Sequence, residues 1–367
     1  MIVIMIKDKL SRVRSLIKDK GAAALIISNP SNMGYLLGYE DGLLAYIDDS
    51  AIKVIVPLLD LERAEELING KADVIAYSGY KLPVEENVIW GSDELIKVIA
   101  SWIKPGSSIL IDDSSKQFIK KALDTVNAKA IDASADILDA RAVKTTEEVE
   151  LIKNAINITL SVLKELYGMR IIGMRERDLA AYIYHELISH GGDEVAFNPI
   201  VGSGPNGAKP HHTHSDRRIG TNETVVIDVG ARYRLYCSDL TRTLITGSLE
   251  GKLKDAYNAV IEASRKAISI IKPGVKASDV DAAARGVINE YGFAWGFIHS
   301  LGHGVGVEVH EKPAISPSSN DVLREGNVIT IEPGIYIKDV GGVRIENMVL
   351  VTESGAEVLT RDEYAYV

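Results

Sequence analysis

Val225-Val226-Ile227-Asp228-Val229-Gly230 and, 104 residues later (332 − 228), Ile329-Thr330-Ile331-Glu332-Pro333-Gly334 decide the fold of this chain. Each is an apolar, β-branched run that reads as a buried strand and carries one acid two residues before a glycine. Each is followed by a second strand with its own acid, Asp239 after Asp228 and Glu346 after Glu332, and these two are 107 residues apart (346 − 239). Upstream of each stands a pair of helices. The first pair opens at Thr145-Thr146-Glu147-Glu148, a capping box, and its buried stripe runs through Val149, Ile152, Ile156, Leu160 and Leu163. Its second helix, Arg175–His190, stops at Gly191-Gly192. Leu253–Ile271 and Ser278–Tyr291, closed by Gly292, form the other pair. Two helix–helix–strand–strand units with matching acids predict an α+β domain with pseudo-twofold symmetry, its acids meeting near the axis.

Upstream, short apolar runs alternate with helical patterns: strands at Ala22–Ser28, Leu43–Ile47, Ile52–Val56, Val74–Tyr77 and Ile109–Ile111, helices at Leu10–Lys18, Leu59–Ile68, Glu94–Ile103 and Ser115–Val126. Such alternation predicts a separate α/β domain. It holds no histidine cluster, phosphate loop or nucleophile arrangement, so its expected part is structural or substrate-shaping. A chain of 367 residues is long for one core, and the expected division is 1–131 and 132–367. Net charge of −10 argues against a nucleic-acid groove. No stretch is apolar for long enough to cross a membrane, and Met1–Ile6, followed by Lys7-Asp8-Lys9, is too short for a signal peptide. The single Cys237 excludes an internal disulfide and fits a reducing, cytoplasmic setting.

Acids inside apolar strands need an explanation, because a buried carboxylate is unfavourable by several kcal/mol unless compensated. A backbone hydrogen bond or an arginine accounts for one such acid. Four at equivalent points of two related hairpins would repel one another, and divalent metal is the natural neutraliser. Leu301-Gly302-His303-Gly304-Val305-Gly306 adds an imidazole between glycines that permit close approach. Four carboxylates with one histidine are too oxygen-rich for a structural zinc site and suit two bridged divalent ions, roughly 3.5–4 Å apart. Ligand type leaves Mn²⁺, Co²⁺, Fe²⁺ and Zn²⁺ open.

At these residues the chain resembles the pita-bread metallopeptidases of the Xaa-Pro dipeptidase (prolidase) and aminopeptidase P type. The matching stretches are Ile200–Gly204 through Pro210-His211, Val226–Ala231, Tyr236–Thr243, Gly302–Gly306 through Val309-His310-Glu311, Ile331–Gly334, and Val343–Asn347. Each alone is weak; all of them in this order are specific. The resemblance implies that Asp239 and Glu346 bridge two metals, Asp228 completes one, and His303 with Glu332 completes the other. Mn²⁺ or Co²⁺ come first by that likeness, with Zn²⁺ or Fe²⁺ behind. It further implies hydrolysis of X-Pro peptide bonds by a metal-activated water, with Glu332 relaying the proton. His211 and His310 would bind the substrate carbonyl and oxyanion, and Arg344 a substrate carboxylate or else a metal-binding one. Thr241 would sit beside the metals. A homodimer acting on X-Pro dipeptides or short X-Pro peptides completes the expectation. The compact N-terminal domain resembles the dipeptidase forms more than the longer aminopeptidases.

Other readings fit less well. Gly202-Ser203-Gly204-Pro205-Asn206-Gly207 matches a dinucleotide-loop pattern, but Pro210 and three histidines follow where a helix should open. A catalytically inactive binding module would tend to lose ligands, and a creatinase-like, metal-free hydrolase lacks the acids. Methionine aminopeptidase usually lacks the long N-terminal domain. His212 and His214 read as surface residues, and Cys237 as buried and inert.

Overall fold

The computed structural model describes residues 2–84 and 87–361; Met1, which opens the apolar N-terminal run, lies outside them. It divides into two units, Met1–Arg141 and Ala142–Val367. The first unit is one mixed sheet of β1 (Ala24–Ile27), β2 (Leu44–Ile47), β3 (Ile52–Pro57), β4 (Asp73–Ser78), β5 (Val88–Trp90), β6 (Ser108–Ile111) and β7 (Lys129–Asp132), in the order 5-4-3-2-1-6-7. Around it run α1 (Ile2–Asp19), α2 (Pro30–Leu37), α3 (Leu61–Ile68), α4 (Gly91–Trp102), α5 (Gln117–Thr125) and α6 (Ser134–Ala142). Strand β1 pairs with β2 antiparallel and with β6 parallel, and all of its side chains are buried. That is why it reads as an unbroken apolar run rather than an alternation.

The units part ten residues beyond the expected boundary (141 − 131). Helix α6 belongs to the first unit because polar bonds tie it there. Ser134 Oγ donates to the Asp112 carbonyl at 2.9 Å, Lys20 pairs with Asp136 at 2.9 Å, and Arg141 donates to Asn32 Oδ1 at 2.8 Å. Helix α2 was not legible in the sequence, being short. Asn29 caps it by accepting from Asn32 N, and Gly38 ends it at φ 74°.

In the second unit, α7 (Thr146–Gly168) opens on Thr145 with both bonds of the capping box made, and α8 (Glu176–Ser189) follows. Then come β8 (Glu194–Val195), β9 (Ile200–Ser203), β10 (Thr224–Val229), β11 (Ala231–Tyr233), β12 (Tyr236–Cys237) and β13 (Leu240–Ile245). The second half supplies α9 (Gly251–Ile270), α10 (Ala277–Glu290), β14 (Gly302–Gly304), β15 (Glu311–Ile315), β16 (Val328–Ile331), β17 (Gly334–Ile337), β18 (Gly341–Arg344), β19 (Asn347–Thr352) and β20 (Gly355–Val358). Strands β9-β10-β13 pair as β14-β16-β19 do, and the ribbon β11-β12 is matched by β17-β18. The duplication read from the acids is therefore present in the strand pairing.

Two expected strands are broken. Val328–Ile337 splits at Glu332-Pro333, where Pro333 has no N–H to extend a ladder. Val343–Leu350 splits at Ile345-Glu346 as the chain passes between sheets, with Glu346 N donating to the Thr241 carbonyl at 3.1 Å. Glu332, Glu346 and Asp239 thus sit at strand junctions, and Asp228 alone lies within a strand. Behind them, Ile329, Ile331, Ile335, Val343, Ile345 and Val349 pack into one core with α9 and α10. Among the described residues no helix is long and apolar enough to cross a membrane.

Candidate metal centre

All six residues of β10 are buried, so Asp228 has no route to water along its own strand. One oxygen is compensated: Oδ2 accepts from the Arg344 guanidinium at 2.5 Å. Asp239 is 5% exposed and Glu346 1%. Thr241 Oγ1 donates to Glu346 Oε2 at 2.8 Å and itself accepts from Arg344 Nε at 2.9 Å. The buried Arg242 holds the Glu346 main chain by donating to its carbonyl at 2.6 Å. Asp228 and Glu346 therefore hang from one scaffold of threonine and arginine, with Thr241 beside them.

The second half brings the imidazole. His303 N donates to Thr330 Oγ1 at 3.0 Å, and Thr330 Oγ1 also donates to Glu332 Oε1 at 3.3 Å. The His303 Nδ1 lies 3.1 Å from the Gly304 carbonyl, which selects the tautomer with that nitrogen protonated and leaves Nε2 facing the acids. Nε2 is 3.3 Å from Glu332 Oε1 and 3.5 Å from Asp239 Oδ2. Donor atoms of Asp228, Asp239 and Glu346 lie within 4.8 Å of one another, and so do those of His303, Glu332 and Glu346. The two triads share Glu346, and Asp239 also touches His303. Each group of donor atoms is one that could hold a cation.

Charge makes the same point. Burial, followed by the charges of Glu346 and Asp228, pushes the Asp239 carboxyl well above its ordinary range. Burial, then Glu332 and Asp228, does the same to Glu346. Burial lowers the basicity of His303, but its hydrogen bond to Glu332 and that residue's charge reverse this and leave it raised. Two carboxylate oxygens, Asp228 Oδ1 and Glu346 Oε1, are buried with no hydrogen-bond partner. An orphaned anionic oxygen is unfavourable in a protein interior, and a divalent cation satisfies it without a proton. The donor set and its unspent atoms fit such ions.

The remaining expected residues divide. His310 packs its ring edge-on to His303, centroids 4.3 Å apart, and burial with the neighbouring His303 lowers its pKa, His211 adding in the same sense. The imidazoles His211, His303 and His310 are therefore close enough to feel one another. His211 lines a cavity of about 580 Å³ with Pro210, Thr213, Ile298 and His299. Arg344 needs a correction as a substrate residue. It is 3% exposed, and its donors go to Thr241, Pro210 O, Tyr336 Oη and Asp228. Of its two expected partners it has the ligand carboxylate. His212 is also corrected: it is not a surface residue but half-buried, with Nε2 2.9 Å from Glu176. His214 is exposed, and Cys237 is buried with its thiol donating to the Val307 carbonyl.

Sequence reasoning missed Tyr336 and His299. Tyr336 Oη accepts from Arg344 at 2.7 Å and lies 3.0 Å from His299 Nε2, so a single relay links Asp228 to the cavity wall. The position of His299 four residues before His303 was the available signal.

Comparison with known proteins decides the family. Residues 150–353 match the model of metallopeptidase family M24, and residues 9–143 match the creatinase/prolidase N-terminal domain. The chain belongs to metallopeptidase family M24. It is 37% identical to the Xaa-Pro dipeptidase of Pyrococcus furiosus, over 97% of this chain and 99% of that one. The prolidase structure from Pyrococcus horikoshii superposes with a TM-score of 0.85 at 35% identity, covering 97% and 99% of the two chains. An X-Pro aminopeptidase structure from Thermotoga maritima gives 0.81 at 32%, covering 93% and 96%. The chain carries a creatinase-type N-terminal domain followed by a pita-bread M24 domain, and membership of the family makes it a divalent-metal-dependent hydrolase of peptides.

Proposed function

We propose that this protein is an Xaa-Pro dipeptidase using two divalent ions, with Mn²⁺ or Co²⁺ ahead of Zn²⁺ and Fe²⁺. The observation carrying this is the meeting of four largely buried carboxylates and one imidazole in overlapping triads, in a chain whose near-full-length relative is named an Xaa-Pro dipeptidase. Asp239 and Glu346 would serve both ions, Asp228 would help hold one, and His303 with Glu332 the other. Two such ions supply the charge that keeps the carboxylates ionised and the Lewis acidity that activates water at neutral pH. Glu332, 16% exposed at its side chain, takes the proton of the attacking water and hands it to the departing proline nitrogen. Without that proton the nitrogen would have to leave as an amide anion, a very poor leaving group, so the bond needs such delivery to break. His310 and His211 donate to the scissile carbonyl oxygen as it gains charge. Arg344 acts on the ligand side, holding Asp228 while Tyr336 and His299 extend the network.

Aminopeptidase P action is the second reading, favoured by the likeness to the Thermotoga maritima X-Pro aminopeptidase. Sequence likeness over almost the whole of both chains favours the dipeptidase. A cytoplasmic homodimer with no nucleic-acid partner fits the acidic composition and the family. The test compares an X-Pro dipeptide with an X-Pro-Y tripeptide after chelation and after return of Mn²⁺ or Co²⁺. Chelation is expected to abolish dipeptide cleavage and metal to restore it. Full activity in metal-free enzyme refutes the metal mechanism, and tripeptide cleavage as efficient as dipeptide cleavage refutes the dipeptidase.

A further inference from the structure

His211 sits in a segment that hydrophobic burial cannot order. From Gly204 to Arg217 the chain reads Gly-Pro-Asn-Gly-Ala-Lys-Pro-His-His-Thr-His-Ser-Asp-Arg, with no large apolar side chain. Its order has to come from polar bonds, and one set of them converges on Glu176, others running to Val201, Glu223 and Arg344. Glu176 begins α8 and is fully buried. Its Oε1 accepts from Ser203 N at 2.8 Å, Ser203 Oγ at 2.7 Å and Asn206 Nδ2 at 3.1 Å. Its Oε2 accepts from Ser215 Oγ at 2.6 Å and Asn206 Nδ2 at 3.1 Å, and His212 Nε2 lies 2.9 Å away. The backbone supports the same clamp: Glu176 N donates to the Arg217 carbonyl at 3.0 Å and Arg177 N to the Ser215 carbonyl at 3.1 Å.

His211 lies between two fixed points. On one side Pro210 has its φ locked by its ring. On the other, His212 N donates to the Lys209 carbonyl at 3.0 Å while its imidazole is held by Glu176. A buried carboxylate hydrogen-bonded on both oxygens stays ionised, and an ionised acceptor makes the shorter, stronger bond to an imidazole N–H. Burial of Glu176 alone would oppose ionisation, but the bonds from Ser215, His212 and Ser203 bring its pKa down to about 2.

We propose that Glu176 and His212 form a buried clamp that sets the position of the His211 imidazole. They are positioning residues, and the inference rests on His211 donating to the substrate carbonyl, as read above. The test is a double-mutant cycle in metal-loaded enzyme acting on an X-Pro dipeptide, with bound metal measured for every variant. Misplacement of a catalytic group by about 1 Å can lower turnover up to a hundredfold, so His212→Leu is expected to lower kcat by about tenfold to a hundredfold with KM and metal content little changed. His212→Gln, whose amide can donate to Glu176, is expected to recover most of that loss. In the His211→Ala background, His212→Leu is expected to cause no further loss, because its effect runs through a side chain already removed. Equal losses from His212→Leu in both backgrounds overturn the clamp while leaving the role of His211 intact. Unchanged turnover in His211→Ala alone overturns the role of His211, and the clamp with it.

Discussion

Replacing Asp239 with asparagine should change stability in opposite directions with and without divalent metal. Asp239 is 5% exposed and faces Glu346, Asp228 and Glu332. Without a cation it is ionised only against burial and three like charges. Asparagine keeps the shape, removes one charge, and brings an amide donor near Asp228, whose Oδ1 has no hydrogen-bond partner. Replacing an uncompensated buried charge is stabilising by about 1–3 kcal/mol. The second unit holds 226 residues (367 − 142 + 1), a size at which about 1 kcal/mol moves Tm by roughly 2–4 °C. The metal-free variant is therefore expected to melt a few degrees above the metal-free parent. With metal the sign turns. An ion present at a hundred times its Kd stabilises the parent by about 2.7 kcal/mol per site, and a variant binding a hundredfold more weakly keeps only about 0.4 kcal/mol of that. Because Asp239 reaches both triads, both sites are affected; the loss of about 4.6 kcal/mol, less the gain of about 1–3 kcal/mol seen without metal, places the variant roughly 3–14 °C below the loaded parent. Thermal scans in EDTA and then in rising Mn²⁺ read both arms. Shifts of the same sign and size in the two conditions refute the reasoning, since they mean Asp239 serves the fold and no cation.

Two further outcomes follow from buried groups. Lys144 and Glu311 form an ion pair at 3.2 Å with side chains 1% and 2% exposed. Lys144→Met is expected to destabilise by about 3–5 kcal/mol in urea titrations, and Lys144→Met with Glu311→Gln to recover part of it, because the uncompensated charge is gone; equal losses in the single and double variants would contradict this. Glu176 has a folded pKa of about 2 against an ordinary 4.5. As pH falls the unfolded chain takes its proton first, so the stabilisation is complete above about 4.5 and lost towards about 2. The Tm difference between the parent and Glu176→Gln should shrink across that window, and a difference constant with pH would refute the assignment.

The acids were legible because a charged residue inside an apolar run is a local contradiction, visible without knowing what lies across from it. Asp228 in Thr224–Val229 is the plainest instance. Helix ends were legible for a related reason: the capping box at Thr145 and the glycines at 191, 192 and 292 act within a few residues. What did not show was partnership at a distance. His212 looks like a loop histidine because its acceptor, Glu176, stands 36 residues earlier (212 − 176) and looks like an ordinary first-turn acid of a surface helix. Arg344 looked available to substrate because nothing in Val343–Asn347 tells that its donors are spent on Asp228, Tyr336 and Thr241. The break at Glu332-Pro333 did carry a signal, the missing N–H of Pro333, and continuity of the apolar pattern outweighed it.

A buried helix acid anchors a loop in each half of the second unit. In the first half Glu176 of α8 anchors the segment leading to His211; in the second, Asp281 of α10 anchors the segment leading to His303. Asp281 is fully buried, accepts from Leu301 N at 3.0 Å, and holds Arg285, which donates to the Phe297 and His299 carbonyls. The two acids are 105 residues apart (281 − 176), against 104 for Asp228 and Glu332 and 107 for Asp239 and Glu346. The helices themselves are offset by 101 (277 − 176), so Asp281 stands one turn further into α10 than Glu176 into α8: the two acids share the task of fixing a loop without occupying equivalent positions. The halves differ in how the anchor reaches its loop, directly through an imidazole in one and through an arginine in the other. That difference matches their loads. The first loop presents His211 at an exposed cavity wall, where a direct bond to the neighbouring imidazole fixes its direction, whereas in the second the groups held are the Phe297 and His299 carbonyls of the loop ahead of β14.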